Sequence, residues 1–203
     1  MMASLGGSRR LEPICDARRA ERVTVPVLVV ESADITVVDV SFWRNALLHA
    51  IILRDLTESD LPILFEHQND PEASRMAAFL SRDPSDREAF MTHWKRILAD
   101  PTLTKAILWN GQVAGSIGSF LWDGKPQVTY WLGKAFWGSG IATLALAEFL
   151  RIFDTRPLYA SAAKDNVASI RVLEKCGFAV RGSAMAFAKA RGTDIEEVFL
   201  ELA

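Results

Sequence analysis

The sequence predicts a mixed α/β fold, a mostly antiparallel sheet flanked by helices, and three observations carry that reading. Asn110-Gly111 and Asp123-Gly124 separate runs of strand-forming residues by two-residue connections, and both pairs tolerate the positive φ angles that tight hairpins demand. A strand ending near Leu132 runs through Gly138 and Gly140 into an apolar-periodic helix. A further strand, Pro157 to Ala160, is followed by a helix that opens at Asn166 and stops at Gly177, so hairpins are combined with strand-helix-strand crossovers.

Ala50 to Arg54 reads as the first strand of this fold. Thr57 caps the first helix with Asp60 closing a capping box, Leu61, Leu64 and Phe65 recur on one face, and Asn69-Asp70-Pro71 ends it. A second helix is expected from Ser85 to Ala99, with Glu88 in the reciprocal capping position and Phe90, Trp94, Ile97 and Leu98 as its buried stripe. Strands follow over Lys105 to Trp109, Gln112 to Phe120 and Gln127 to Leu132. The third helix is expected from Ser139 to Phe153, with Ile141, Leu144, Ala145 and Phe149 making apolar contacts and Glu148 facing solvent. Ile170 and Leu173 point inward from the late helix, and two strands, Ala179 to Lys189 and Ile195 to Leu202, close the chain. Residues 51–203 are taken as one domain and residues 1–50 as a partly flexible extension, within which Val23 to Val30 is apolar enough to add a strand.

Composition narrows the function. Among 203 residues, 23 Lys and Arg nearly balance 25 Asp and Glu, so no broad positive field exists for nucleic acid. The Arg9-Arg10 and Arg18-Arg19 pairs read as solvation. Cys15 and Cys176 form no CxxC, and His49, His67 and His93 make no ligand cluster with them, so no metal is expected. Cys176 reads as a small buried filler. No apolar run has membrane-spanning length and no secretory segment stands at the start, which makes cytoplasmic residence the expectation.

The chemistry concentrates in Tyr130-Trp131-Leu132-Gly133-Lys134-Ala135-Phe136-Trp137-Gly138-Ser139-Gly140-Ile141-Ala142-Thr143. Free N–H groups at a glycine-opened helix start suit phosphate or pyrophosphate. A bare GxG by itself favours a mere tight turn and close helix packing, and the Gly-Lys-Ser/Thr ending of a P-loop and the full dinucleotide fingerprint are both missing.

Together with Asn166-Val167-Ala168-Ser169-Ile170-Arg171-Val172-Leu173-Glu174-Lys175-Cys176-Gly177-Phe178, this stretch resembles the GCN5-related N-acetyltransferase family, and within it the branch of bacterial ribosomal-protein N-terminal acetyltransferases. The resemblance covers roughly residues 51–202 and implies the GNAT fold, acetyl-CoA as co-substrate without a metal, and direct attack of an amine on the thioester in a ternary complex. It implies acyl-CoA contacts from Tyr130, Trp131, Leu132, Trp137, Gly138, Ser139, Gly140, Ile141, Ala142, Thr143 and Asn166, with Arg171 and Lys175, and Lys134 beside the turn, toward the 3′-phosphate. A backbone N–H near Leu132 becomes the oxyanion donor, and Ser169 assists the departing thiolate.

Three departures accompany it. Ala135 opens the glycine motif where arginine or glutamine is usual. Gln127 stands where many members carry a glutamate base, and Leu173 where many carry a tyrosine acid. Gln127 cannot titrate, so proton removal falls to water or to Asp123, Glu72 or Asp83. The acceptor, a protein N-terminal α-amine or a small amine, is expected between Asn69 to Leu80 and Ser183 to Asp194. A weakly active acyl-CoA-binding or regulatory relative is the competing reading. An edge strand near the C-terminus is compatible with a homodimer.

Overall fold

A computed structural model describes residues 51–80, 83–99 and 104–203. The expectations for residues 1–50, including the Val23 to Val30 strand, Cys15 and His49, lie outside these. The described residues form a seven-stranded sheet of β1 (Ile51–Asp55), β2 (Thr104–Trp109), β3 (Gln112–Trp122), β4 (Lys125–Leu132), β5 (Leu158–Ala163), β6 (Ala179–Ala188) and β7 (Thr193–Leu202), in the order β1-β2-β3-β4-β5-β7-β6. Every neighbouring pair is antiparallel except β4 and β5. Both predicted hairpin turns are present, with Asn110 and Gly111 at φ 51° and 77° and Asp123 and Gly124 at 50° and 71°.

Among the described residues five α-helices accompany the sheet: α1 (Leu61–Asn69), α2 (Pro71–Ala77), α3 (Arg87–Ala99), α4 (Ile141–Ile152) and α5 (Val167–Lys175). Thr57 and Asp60 form the expected capping box, but around a 3-10 turn, Glu58–Asp60, that leads into α1. The Asp60 carboxylate also takes a two-pronged bond from Arg54 at 2.6 and 2.7 Å, which joins β1 to the start of α1.

The structure corrects the sequence reading in four places. Asp70-Pro71 ends α1 and at once begins α2, because Asp70 accepts from the N–H groups of Glu72 and Ala73 while Pro71 occupies a position that needs no donor. Asp86 rather than Ser85 starts α3, its carboxylate accepting the Ala89 N–H at 2.9 Å while Ser85 bonds to Asp83. Ser139 belongs to the turn, and α4 begins at Ile141. Leu144 is exposed, and Leu146 takes its expected place in the core.

Two apolar layers sandwich the sheet. Ile117, Val128, Leu132, Leu158 and Ala160 meet Ile141, Ala145, Leu146, Phe149 and Leu173 beneath α4 and α5. On the opposite face Ala106 packs with Leu61, Leu64, Phe65 and Phe90 of α1 and α3. No helix among the described residues is long and apolar enough to cross a membrane.

Candidate acetyl-CoA site

β4 and β5 share a ladder only at Gln127 opposite Tyr159, although five residues of β4 remain beyond that point. The sheet is therefore split toward the C-terminal ends of these strands. The Gly133 N–H donates to Ala114 O at 2.9 Å, and alternation along an antiparallel pair then turns the N–H groups of Tyr130 and Leu132 away from β3, toward the split. The split that residue order alone left undetermined is present.

The polypeptide leaves β4 through a short 3-10 turn, Lys134–Phe136, and enters α4 through Gly138 at φ 75° and Gly140 at φ 77°. Gly140 is the N-cap of α4 in the left-handed conformation, where a Cβ is costly. Trp137, Gly138, Ser139 and Gly140 are exposed, and a Cβ built on either glycine meets no protein atom within 4 Å. Trp137 is held by its indole N–H, which donates to Leu132 O at 2.9 Å, and Ile141 is buried in the core. The free N–H groups of the first α4 turn and the helix dipole thus face an open space, an arrangement suited to a phosphate.

Across the split, Asn166 caps α5: its Oδ1 accepts the Ser169 N–H at 3.1 Å and its Nδ2 donates to Met76 O at 3.2 Å. The side chain is committed largely to structure, with one amide hydrogen left for a ligand. Tyr130 spans from β4 to α5, its phenol donating to Ser169 O at 3.3 Å, and burial pushes its pKa up to about 12, so it is a neutral donor. Leu173 is 2 % exposed and serves only the core. Cys176 is half-buried, its thiol reaching Thr143 O at 3.6 Å, and it ties α5 to α4. Arg171 and Lys175 are both exposed on α5, and Ala142 and Thr143 are half-buried in the first turn of α4.

Of the candidate bases, Asp123 stands in the hairpin turn at the far end of β4, about 25 Å of strand from Leu132. Asp83 is engaged with Ser85, which lowers its pKa. Glu72 is paired with Lys134. Sequence reasoning passed over His67. Its ring lies where a Gly133 Cβ would stand, 2.6 Å from the nearest imidazole atom, edge-on to Phe136, and its buried Nδ1 has no protein partner. Burial lowers its pKa and keeps it neutral. Nothing in the α1 periodicity distinguishes it from a surface histidine.

A strand split beside a glycine turn that opens a helix makes a cleft suited to a phosphate-bearing ligand, and the comparisons assign the family. Residues 50–179 match the sequence model of the acetyltransferase (GNAT) domain, and the chain belongs to that family. It is 30% identical over 118 residues to the Bacillus subtilis protein "Putative ribosomal N-acetyltransferase YdaF", a match covering 52% of this chain and 64% of the relative. In fold it is similar to the ribosomal-protein-alanine N-acetyltransferase of Brucella melitensis, with TM-score 0.62, 23% identity and coverage of 74% of this chain and 98% of that one. It is also similar to a GNAT superfamily phosphinothricin acetyltransferase from Sinorhizobium meliloti, solved in complex with acetyl-CoA, with TM-score 0.64, 18% identity and coverage of 75% and 87%.

Proposed function

We propose that this protein transfers acetyl from acetyl-CoA to a primary amine, with a protein N-terminal α-amine as the preferred acceptor class. The observation that carries the reading is the β4–β5 split opening beside the glycine turn. Backbone N–H groups from Gly138 to Ile141 would hold the diphosphate, the Trp137 N–H being taken by Lys134 O, and the pantetheine arm would lie in the split against Tyr130 and Leu132. There the Leu132 N–H is a fixed donor for the oxyanion that forms when the amine attacks the thioester carbonyl. The nitrogen gives up its extra proton to water, the C–S bond then breaks, and sulfur takes up the charge beside Ser169, whose hydroxyl would donate to it. A buried phenol with its pKa near 12 keeps its proton, so Tyr130 orients the first turn of α5 rather than acting as an acid.

An α-amine, with a reference pKa near 8, is partly neutral without a strong base, whereas a lysine amine is not. That chemistry, together with the ribosomal names of two similar proteins, favours a protein terminus. Incubating the protein with acetyl-CoA and a panel of N-terminal peptides, lysine side-chain peptides and small amines tests this, with intact-mass and free-thiol readouts. Acetylation of α-amines in preference supports the reading, and binding of acetyl-CoA with no transfer to any amine would overturn it. Ser169→Ala should lower kcat while leaving acetyl-CoA affinity unchanged, because a bond to developing charge strengthens in the transition state.

A further inference from the structure

The face of the sheet opposite α4 and α5 gives the split a second opening, and one segment crosses it. Thr129 on β4 and Ser161 on β5 are exposed on this face. Beyond them, the end of β4 is covered at Trp131, whose indole N–H donates to His67 O at 3.1 Å, and the end of β5 is covered at Ala163, which packs against Ala78 and Ala188. Residues 67–80 therefore run from the tip of one parted strand to the tip of the other, past the place where an amine would meet a thioester held in the split.

Fastenings along its length fix this segment. Toward the glycine turn, His67 fills the space beside Gly133 and Glu72 pairs with Lys134. At its other end two successive carbonyls of α2 are each taken by a side chain from another element. Met76 O accepts from Asn166, and Arg75 O accepts from Arg191 Nε at 2.8 Å. The same Arg191 guanidinium grips Asp165 at 2.6 and 3.0 Å, and its side chain is only 9% exposed. Ala190 N–H donates to Ala78 O at 3.2 Å. Ala78 itself, fully buried, is held at φ 63° and ψ −58° in a γ-turn, closed by Phe79 N–H to Ala77 O at 2.7 Å. Such a conformation is strained for a residue with a Cβ and persists only where its surroundings over-determine it.

We propose that Arg191 is a positioning residue for the amine acceptor, holding residues 70–80 across the open face of the split. It rests on the transferase reading given above. Arg191 lies in the β6–β7 turn and bonds directly to none of the groups assigned to acetyl-CoA, so its first effect falls on the segment that faces the acceptor. Its planar fork bonds Asp165 while Nε bonds Arg75 O, a three-point arrangement that lysine cannot reproduce.

The test compares Arg191→Met, Arg191→Lys and Asp165→Asn with wild type, using peptides with a free N-terminal alanine or serine as the acceptor probe. Arg191→Met should raise the acceptor KM roughly tenfold or more, the scale of losing hydrogen bonds to a charged group. The calorimetric Kd for acetyl-CoA should stay within about twofold of wild type, and hydrogen exchange of residues 72–80 should accelerate. Arg191→Lys and Asp165→Asn should fall between, and they carry the test if the methionine variant does not fold. An unchanged KM, or KM and acetyl-CoA Kd rising together, would overturn the assignment of Arg191. If wild type acetylates no amine while binding acetyl-CoA, the transferase reading fails and this inference fails with it.

Discussion

The tip and the root of the glycine turn use glycine for opposite reasons. At the tip, Gly138 and Gly140 are glycines because their φ angles are positive, and the space around them is open. At the root, Gly133 has φ −58° and ψ 144°, which any residue adopts, but a Cβ there would strike the His67 ring. Gly115, opposite Leu132 on β3, is tighter still, with a Cβ position 1.9 Å from Trp131 O. One pair serves local conformation and leaves room outside the protein, while the other lets elements distant in sequence close against the end of β4.

The sharpest test of this contrast is Gly115→Ala. The collision is with backbone, so the strand must move, and a loss of about 3 kcal/mol is expected in chemical unfolding. A variant as stable as wild type would show that β3 and β4 tolerate separation.

Gly140→Val, at the tip, should cost less stability, about 1–2 kcal/mol for a branched residue held in the left-handed region. It should weaken acetyl-CoA binding roughly tenfold or more by displacing the oriented N–H groups. Calorimetry on protein shown to be folded by circular dichroism checks both, and wild-type affinity would refute the phosphate placement.

Asp60 anchors α1, and through it His67 at the root. The Arg54 fork holds its carboxyl at about 2, below the ordinary 3.8. A lowered carboxylate pKa stabilises the fold above the unfolded value, and that contribution is lost as pH falls from about 4 through about 2. Arg54 is 37% exposed, so solvent screening reduces the contribution to about 1–2 kcal/mol. Asp60→Asn should lose that amount at neutral pH and flatten the acid limb of the stability curve, as thermal unfolding across pH 2–7 would show.

The smallest effect is expected at the link between the two regions. Glu72 and Lys134 are both half-exposed, so their pair is weak. Glu72→Gln should free Lys134 for the 3′-phosphate and tighten acetyl-CoA binding about twofold at low salt, with the gain vanishing at high salt. Weaker binding would mean that Glu72 positions Lys134 instead of competing for it.

What residue order determined about this protein is whatever physics acts over a few neighbours. The Asn-Gly and Asp-Gly turns, the Thr57–Asp60 box, the glycine-opened start of α4 and the Asn166 cap all arise within one turn of chain. Each was legible because its residues suit few other conformations. Asp70-Pro71 carried a local signal for α2 as well, but Asp-Pro also marks helix ends, and the sequence reading took it only as a stop.

Tertiary structure alone decided the rest. The extent of the split depends on where β4 and β5 cease to pair, and those strands are separated by the whole of α4. The neutral, half-buried state of His67 depends on Gly133 and Phe136. The bond from Arg191 to Arg75 O joins residues 116 positions apart. No periodicity or motif encodes such a contact, because its energy appears only after the sheet has formed and brought both partners to one end of it.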